Sequence, residues 1–536
     1  MLTKEQKAEL RGDLFKHLDG IATAPCAHAL HEKGVIDFII QNDKAKLSDL
    51  SKRFKANEGY LNVALRTLCA QGWLDQEILS NHEDVEYKVN QKSKIAASLF
   101  PLFSDVVLFM KFSQNFSKEH FETAPFSTVH ELSKKHSTGF GLAPTDNKLE
   151  LEIRAQIFKH IEGVMIGPTA VALGMGGMFH KYFMEVSFRP EEFHRDHENF
   201  RQLLDMFTYF GWFTSKNNTY RFTDKGLFYA RRASAYGVTV SYIPTFRMVD
   251  ELIFGNPKVL WEKPKESDEL HVDRRMNVWG SGGAHTTYFK HIDDILIQLF
   301  NKPIHEQPKG IVDMGCGNGA FLEHVFSVIE QRTARGKMLE DHPLFLVGAD
   351  YNKAALSVTR ANLIQADIWA KVIWGDIGRP DILAKDLKED YGIELEDLLN
   401  VRTFLDHNRV WEEVNEKNIA ESKSKGAYAF RGNRIKNNEV EENLKMHLER
   451  WKPYVHKFGL LLIELHTIAP ELTAKNLGKT AATAYDATHG FSDQYILEVD
   501  TFLETAAKSG LHHVPEHSFR FPNSELATVS INLLKG

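Results

Sequence analysis

Apolar and polar positions follow two different rhythms along this chain. Through the first 270 or so residues apolar side chains recur three and four apart, as in LRTLCAQG near residue 65 and LDMFTYFG near residue 204. That is the spacing of amphipathic helices. From about residue 276 short apolar runs take over: GIVDMG, LFLVGAD, KVIWGD, LLNVRTFLD, GLLLIELH and LATVSINLL, with helical patterns between them. Runs that are apolar throughout suit strands covered on both faces, and their alternation with helices predicts an α/β domain with a largely parallel sheet.

The helical half repeats itself. LRTLCAQGWLDQ is followed, after a polar loop, by YKVNQKSK, and LDMFTYFGWFTS is followed by YRFTDKG. In each copy a helix ends on a glycine suited to a left-handed cap (Gly72, Gly211), a tryptophan (Trp73, Trp212) opens a hairpin, and the second strand carries Tyr87 or Tyr220. This is the pattern of a winged helix, seen twice. It predicts a mainly α N-terminal region with two winged-helix-like units, at residues 1–130 and 150–275, ahead of an α/β domain at 276–536. The turn-rich KKHSTGFGLAPTDNK and the proline-bearing FGNPKVLWEKPKESDELHVDRR read as connectors.

Winged helices serve some proteins for DNA recognition and others as dimerisation or lid domains, so the pattern alone does not choose. Charge does. The helix of the first copy that would serve for recognition, EGYLNVALRTLCAQG, offers Arg66 as its one cation, its counterpart DHENFRQLLDMFTYFG is net acidic, and the 536-residue chain carries a net charge of −7. Phosphate contacts need cations, so nucleic acid is not expected as the principal partner. The three cysteines have no metal-type spacing, the first residues are charged where a signal peptide is apolar, and no apolar run approaches the ~18 residues of a membrane span. A cytoplasmic protein without a membrane partner is expected.

GIVDMG runs directly into CGNGAFLEHVFSVI, which places Asp313, Gly315, Gly317 and Gly319 between a strand and a helix. Glycines at alternate positions let the backbone turn sharply and approach a ligand at the N-terminus of the following helix. Asp350 stands at the end of the next strand, suited to two ribose hydroxyls, and Asp376 at the end of the third. Cys316 reads as a small buried residue rather than a nucleophile. The set D-x-G-x-G-x-G, then an acid after the second strand, then G-D after the third, resembles class I S-adenosylmethionine (SAM) methyltransferases. The resemblance covers roughly residues 280–536 and implies a Rossmann-like core with SAM as cofactor, the glycine loop on its methionine part, Asp350 on its ribose and Asp376 on its adenine amine. The stretch EQRTARGKMLEDH lengthens the path to Asp350 and reads as a surface insertion; NVWGSGGAHTTYFKHIDD reads either as a segment closing over the ligand or as a turn between domains.

Ligands of open α/β sheets bind beyond the carboxyl ends of the strands. The fourth run ends in Asp406-His407-Asn408-Arg409, the fifth in His466, and the polar segment AYDATHGFSDQY with Asp486, His489 and Gln494 follows. Two sites can be drawn from these residues. In one, His466, His489 and Gln494, with Asp486, hold a divalent metal; with no cysteine in the set, Fe(II) or Mn(II) suits it better than zinc. In the other no metal binds, and His407, oriented by Asp406, is a general base. Arg409 is a candidate partner for a substrate carboxylate, or else pairs with a neighbouring acid.

FLDHNR, IELHTIAP and TAYDATHGFSDQY together resemble the methyltransferase domains associated with polyketide-synthase assembly lines. Some of those hold a mononuclear metal and methylate the carbon between two carbonyls, and related metal-using enzymes methylate 2-oxo acids. The resemblance implies His466 as a metal histidine, with His489 or Gln494 as the downstream ligand. It also implies metal-assisted C-methylation of a malonyl, β-keto acyl or 2-oxo acid acceptor, free or carrier-bound, in secondary metabolism. Apart from that resemblance, the apolar surface of the N-terminal helices suits a homodimer, as in the small-molecule O-methyltransferases that the N-terminal region and core also resemble. Two other readings stand beside it: a metal-free O- or N-methyltransferase using His407, and a SAM-sensing regulator that acts through its winged helices.

Overall fold

The computed structural model describes residues 2–117, 119–183, 186–262, 269–414 and 419–536. The chain forms two compact units, and each is assembled from separated stretches of sequence. The first comprises Met1–Ala284, Ala427–Ile435 and Ala469–Asp493; the second comprises His285–Gly426, Lys436–Ile468 and Gln494–Gly536. The two N-terminal regions expected from sequence thus fold into one unit, and that unit also takes in two segments from the C-terminal half.

Two long helices, Lys4–Glu32 and Lys148–Met175, form the spine of the first unit. They meet at glycines. A Cβ on Gly20 would lie 2.3 Å from the His160 Cα, and one on Gly163 would lie 2.4 Å from the His17 Cα. Only hydrogen fits between these backbones.

Both winged-helix patterns are realised. Helix Glu58–Ala70 leads through Gly72 (φ +74°) into strands Asp75–Ile78 and Val85–Lys88, and helix His197–Tyr209 leads through Gly211 (φ +79°) into Phe213–Lys216 and Thr219–Phe222. Trp73 and Trp212 are fully buried beneath the hairpins. The first of these helices is enclosed from end to end, since every residue from Gly59 to Ala70 is buried. It packs on the hairpin Tyr428–Phe430/Asn433–Ile435 and on the helices Pro470–Lys475 and Ala482–Gly490. Gly59 N donates to Gly432 O at 2.8 Å, and a Cβ on Gly490 would press to 2.7 Å from Val63. A helix in this position has no face to lay in a DNA groove.

Among the described residues one helical stretch, Ser93–Met110, is long and apolar enough to cross a membrane, with a mean hydropathy of 1.5 over 18 residues, contrary to the expectation of no such run. Half of it is buried inside the fold, where Phe100, Phe103, Phe109 and Met110 belong to the core. The glycine-bearing NVWGSGG segment is neither flap nor turn: it lies within a helix, Arg274–Phe300.

The second unit holds a seven-stranded sheet. Its strands are β1 (Gly310–Met314), β2 (Phe345–Asp350), β3 (Ala370–Trp374), β4 (Leu398–Thr403), β5 (Leu460–Leu465), β6 (His512–Phe521) and β7 (Val529–Lys535). They are ordered β6-β7-β5-β4-β1-β2-β3. β1 to β5 are parallel, whereas β7 runs antiparallel to both β5 and β6. The central strands are apolar on both faces because helices cover both, and Ile311, Leu346, Leu399, Val401, Leu461, Ile463 and Ile531 are buried. The chain order reverses between β1 and β4, so their carboxyl ends open the crevice in which such sheets bind ligands.

Candidate active site

β1 delivers its chain into the loop Gly315–Gly319, and three glycines there adopt left-handed backbone: Gly315 at φ +82°, Gly317 at +56° and Gly319 at +83°. Their surroundings differ. A Cβ on Gly315 would touch Leu405 at 3.0 Å and one on Gly319 would touch Thr359 at 3.0 Å, but one on Gly317 would meet nothing nearer than Gly315 O at 4.0 Å. The loop is therefore braced behind and open at Gly317. Thr359 Oγ1 donates to Gly317 O (2.7 Å), and Gly315 N and Cys316 N both donate to Ala349 O on β2 (2.7 and 3.1 Å). Cys316 is a buried residue, as expected, with Sγ 3.5 Å from Thr359 Oγ1; burial pushes its thiol up to about 12.

Asp350, at the end of β2, accepts from Gly317 N (3.0 Å) and Asn352 N (2.8 Å). Asp376 follows β3 and accepts from Gly378 N at 2.8 Å. Asp313 lies in β1 itself, 1 % exposed, with Oδ1 lacking any hydrogen-bond partner. Burial, and then the nearby Asp350, push its carboxyl up from 3.8 to about 7. A buried carboxyl without a partner, beside an open glycine loop and a second acid, fits a ligand that brings hydrogen-bond donors and positive charge, as SAM does.

The Asp313 shift has a signed consequence. An acid whose folded value is raised costs the native state nothing where it is protonated in both states, below about pH 4, and penalises folding increasingly as pH rises towards 7. Asp313→Asn is therefore expected to stabilise the ligand-free protein at pH 8, by up to about 4 kcal/mol, with the gain vanishing near pH 4. Urea unfolding midpoints of both proteins across that range test this; a gain that does not depend on pH would refute it.

The ends of β4 and β5 carry the chemistry. The short turn Asp406–Asn408 follows β4 and buries His407, 6 % exposed. The His407 ring is oriented by Glu464 on β5, not by Asp406: its Nδ1 is hydrogen-bonded to Glu464 Oε1, and its backbone N donates to Glu464 Oε2 at 3.3 Å. Asp406 turns the other way, to Arg402 and to His447 Nε2 (3.1 Å). Burial works against its charged form, yet Arg402 and His447 hold its carboxyl down at about 2. Glu464 is not among the residues expected at the site, yet the sequence carries a signal for it: it is the single acid in LLLIEL, where every neighbour is apolar.

Arg409 is buried and braces the same turn. It donates from Nε to Asn443 Oδ1 (2.7 Å), from Nη1 to Asp406 O (3.0 Å) and from Nη2 to Val440 O (3.1 Å). Neither a substrate carboxylate nor an acidic side chain accounts for these bonds; its fork holds main chain together.

The three residues expected to hold a metal are divided between the two units. His466 is fully buried and both ring nitrogens are taken, Nδ1 with Leu497 O at 3.0 Å and Nε2 with Ser530 Oγ at 2.7 Å. His489 belongs to the first unit, on helix Ala482–Gly490, with Nδ1 2.6 Å from Tyr485 O, while Gln494 begins the last segment of the second unit. Asp486 pairs with Arg66. Among the described residues no three His, Cys, Asp or Glu side chains are grouped as a cation requires. An imidazole with both nitrogens engaged has no lone pair to give, so His466 as placed does not fit a metal ligand.

Residues 269–532 match a family model described as the AprA MT2-like domain, residues 162–256 match the AprA winged helix domain, and residues 10–76 match the AprA N-terminal domain. No curated protein matches the chain. Among solved structures, similarity is found to an O-methyltransferase family protein from Burkholderia thailandensis (9% identity, 74% of this chain and 99% of that one, TM-score 0.39). The CurJ carbon methyltransferase is similar at 11% identity (83% and 99% covered, TM-score 0.32), and a putative O-methyltransferase from Nostoc punctiforme at 12% (73% and 100% covered, TM-score 0.42).

Proposed function

We propose that this chain, a SAM-dependent methyltransferase by its matched domain and its glycine loop, methylates an acceptor from which His407 removes a proton, and that the acceptor is a carbon between two carbonyl groups. The observation that carries the reading is the buried His407–Glu464 pair at the ends of adjacent strands, β4 and β5, next to the strand that bears the loop. Glu464, as a carboxylate, accepts the Nδ1 proton of His407, which leaves the basic lone pair on Nε2. The same carboxylate stabilises the imidazolium that forms when Nε2 takes a proton.

The Gly315–Gly319 loop, Asp350 and Asp376 would hold the cofactor, with the unpaired carboxyl of Asp313 beside them. SAM, when bound, supplies an electrophilic methyl group. The protein's own part is to position the acceptor, exclude water and remove one proton, and no step is assigned to a metal. An imidazole base suits protons of moderate acidity, such as those of malonyl, β-keto acyl or 2-oxo compounds. A hydroxyl acceptor is the second reading, favoured by the same pair, because the geometry of His407 and Glu464 serves an O–H as well as a C–H.

The test uses malonyl and acetoacetyl thioesters of N-acetylcysteamine with carbon-13-labelled methyl donor. The expected product carries the label on carbon, and the enzyme alone exchanges the acceptor's α-protons with deuterium oxide. Label on oxygen would move the assignment to the second reading, and an enzyme that neither methylates nor exchanges either thioester would end the first.

A further inference from the structure

His466, displaced from a metal role, sits in a chain of buried hydrogen bonds whose direction can be read. Leu497 O can only accept, so the proton of the His466 ring is on Nδ1, and Nε2 must accept from Ser530 Oγ. Ser530 Oγ in turn accepts from Asn532 Nδ2 (2.8 Å), and Asn532 Oδ1 accepts from Ser518 Oγ (2.6 Å). Every link is satisfied in one sense only. Ser530, Asn532 and His466 are all fully buried, so no water competes for these bonds. Burial also holds the ring's proton affinity low, down to about 4, which keeps it neutral.

At the end of this chain lies the extended segment Gln494–Glu498. Leu497 O takes the His466 proton and also accepts from Thr467 N at 3.3 Å. Two residues earlier, Tyr495 N donates to the main-chain carbonyl of His407 at 2.8 Å. The proposed base is thus held twice from the end of β5. Glu464 grips its ring, and His466, two positions on, pins the segment that grips its backbone.

We propose that His466 is a positioning residue for methyl transfer: through its Nδ1–H bond to Leu497 it fixes the segment 494–498, whose Tyr495 amide holds His407 in register. The inference rests on the reading of His407 as the base. It assigns His466 a role in the turnover rate and none in binding either substrate.

Two substitutions separate this role from a merely structural one. Asparagine places an amide N–H near the position of Nδ1, whereas glutamine reaches towards Ser530 and leaves Leu497 O with only the longer bond from Thr467 N. With the acetoacetyl thioester as probe, His466→Gln is expected to lower kcat about ten- to a hundredfold, the cost of a misplaced base. KM and the SAM dissociation constant should stay within about twofold of wild type, and His466→Asn should recover most of the rate. Nitrogen-15 spectra of histidine-labelled protein should show the His466 ring protonated on Nδ1.

Equal rates in all three proteins, equal losses in both variants, a ring protonated on Nε2, or recovery of the glutamine variant with added Fe(II) or Mn(II) would each overturn the proposal. Should the glutamine variant not fold, Ser530→Ala removes the donor to Nε2 while Leu497 O still holds the proton on Nδ1; it is expected to keep the tautomer and lower kcat, and a changed tautomer or an unchanged kcat counts against the role. The parent reading is judged separately by His407→Ala. If that variant stays active the base assignment fails, whereas an inactive His407→Ala beside fully active His466 variants sinks only the present inference.

Discussion

His407→Ala is expected to lose about 10²–10⁴ of the methyl-transfer rate while SAM binds as tightly as before, because removal of a positioned general base leaves the cofactor loop intact. The two effects separate because the groups sit on different strands. His407 follows β4 and is held from β5, whereas Gly317 and Asp350 follow β1 and β2. Glu464→Gln should lose less. A glutamine can still accept the Nδ1 proton through its carbonyl oxygen, but it cannot balance the charge that develops on the ring. Single-turnover kinetics with the acetoacetyl thioester, beside calorimetric titration of SAM, give both numbers. A His407→Ala protein that kept a tenth of the wild-type rate would return the base to another residue.

The second large effect concerns stability rather than turnover. Gly163→Val should cost more than about 3 kcal/mol, at the upper end of what overpacking exacts, because the new side chain would stand against backbone and not against a side chain able to move. The contact atom is the His17 Cα, 2.4 Å from an ideal Cβ, and reciprocally a Cβ on Gly20 would reach the His160 Cα at 2.3 Å. Both collisions belong to one helix crossing. Once the first substitution has separated the helices, the second should add less than its own separate cost, so the double substitution is expected to fall short of additivity. Denaturant unfolding followed through the fluorescence of buried Trp73 and Trp212 would report this crossing. A loss below 1 kcal/mol for Gly163→Val would show that the helices part more easily than the packing implies.

What could be read from the sequence was what local pattern encodes. The alternate glycines of DMGCGNG, the acids Asp350 and Asp376 and the apolar runs of β1 to β5 are short-range signals, and each lies where its pattern requires. The same holds for Gly72 and Gly211, whose left-handed backbone ends both winged-helix helices. The failures involve partners far apart in the chain. Adjacency in sequence points to Asp406 as the group that orients His407; in a tight turn adjacent side chains diverge, and the carboxylate that reaches the ring comes from 57 residues downstream. The polar segment AYDATHGFSDQY reads as a ligand set from the density of its polar side chains after β5, but its acids are already paired. Their partners are remote: Arg66 for Asp486, and Tyr60 with Arg431 for Asp493. The glycines of NVWGSGG, poor helix formers, are overridden by the surroundings of a 27-residue helix.

The hairpin Ala427–Ile435 and the segment Ala469–Asp493 that close around helix Glu58–Ala70 bear on how the chain matures during synthesis. When residue 284 leaves the ribosome, the N-terminal unit still lacks the pieces that cover Gly59 and Val63, and these follow roughly 10–40 s later at ordinary elongation rates. Over that interval an apolar helix waits uncovered, which makes the nascent N-terminal half a client for chaperones rather than an autonomous folding domain. Release of the chain after residue 284 would make that wait permanent, and the shortened product is expected to aggregate instead of folding as a separate winged-helix module.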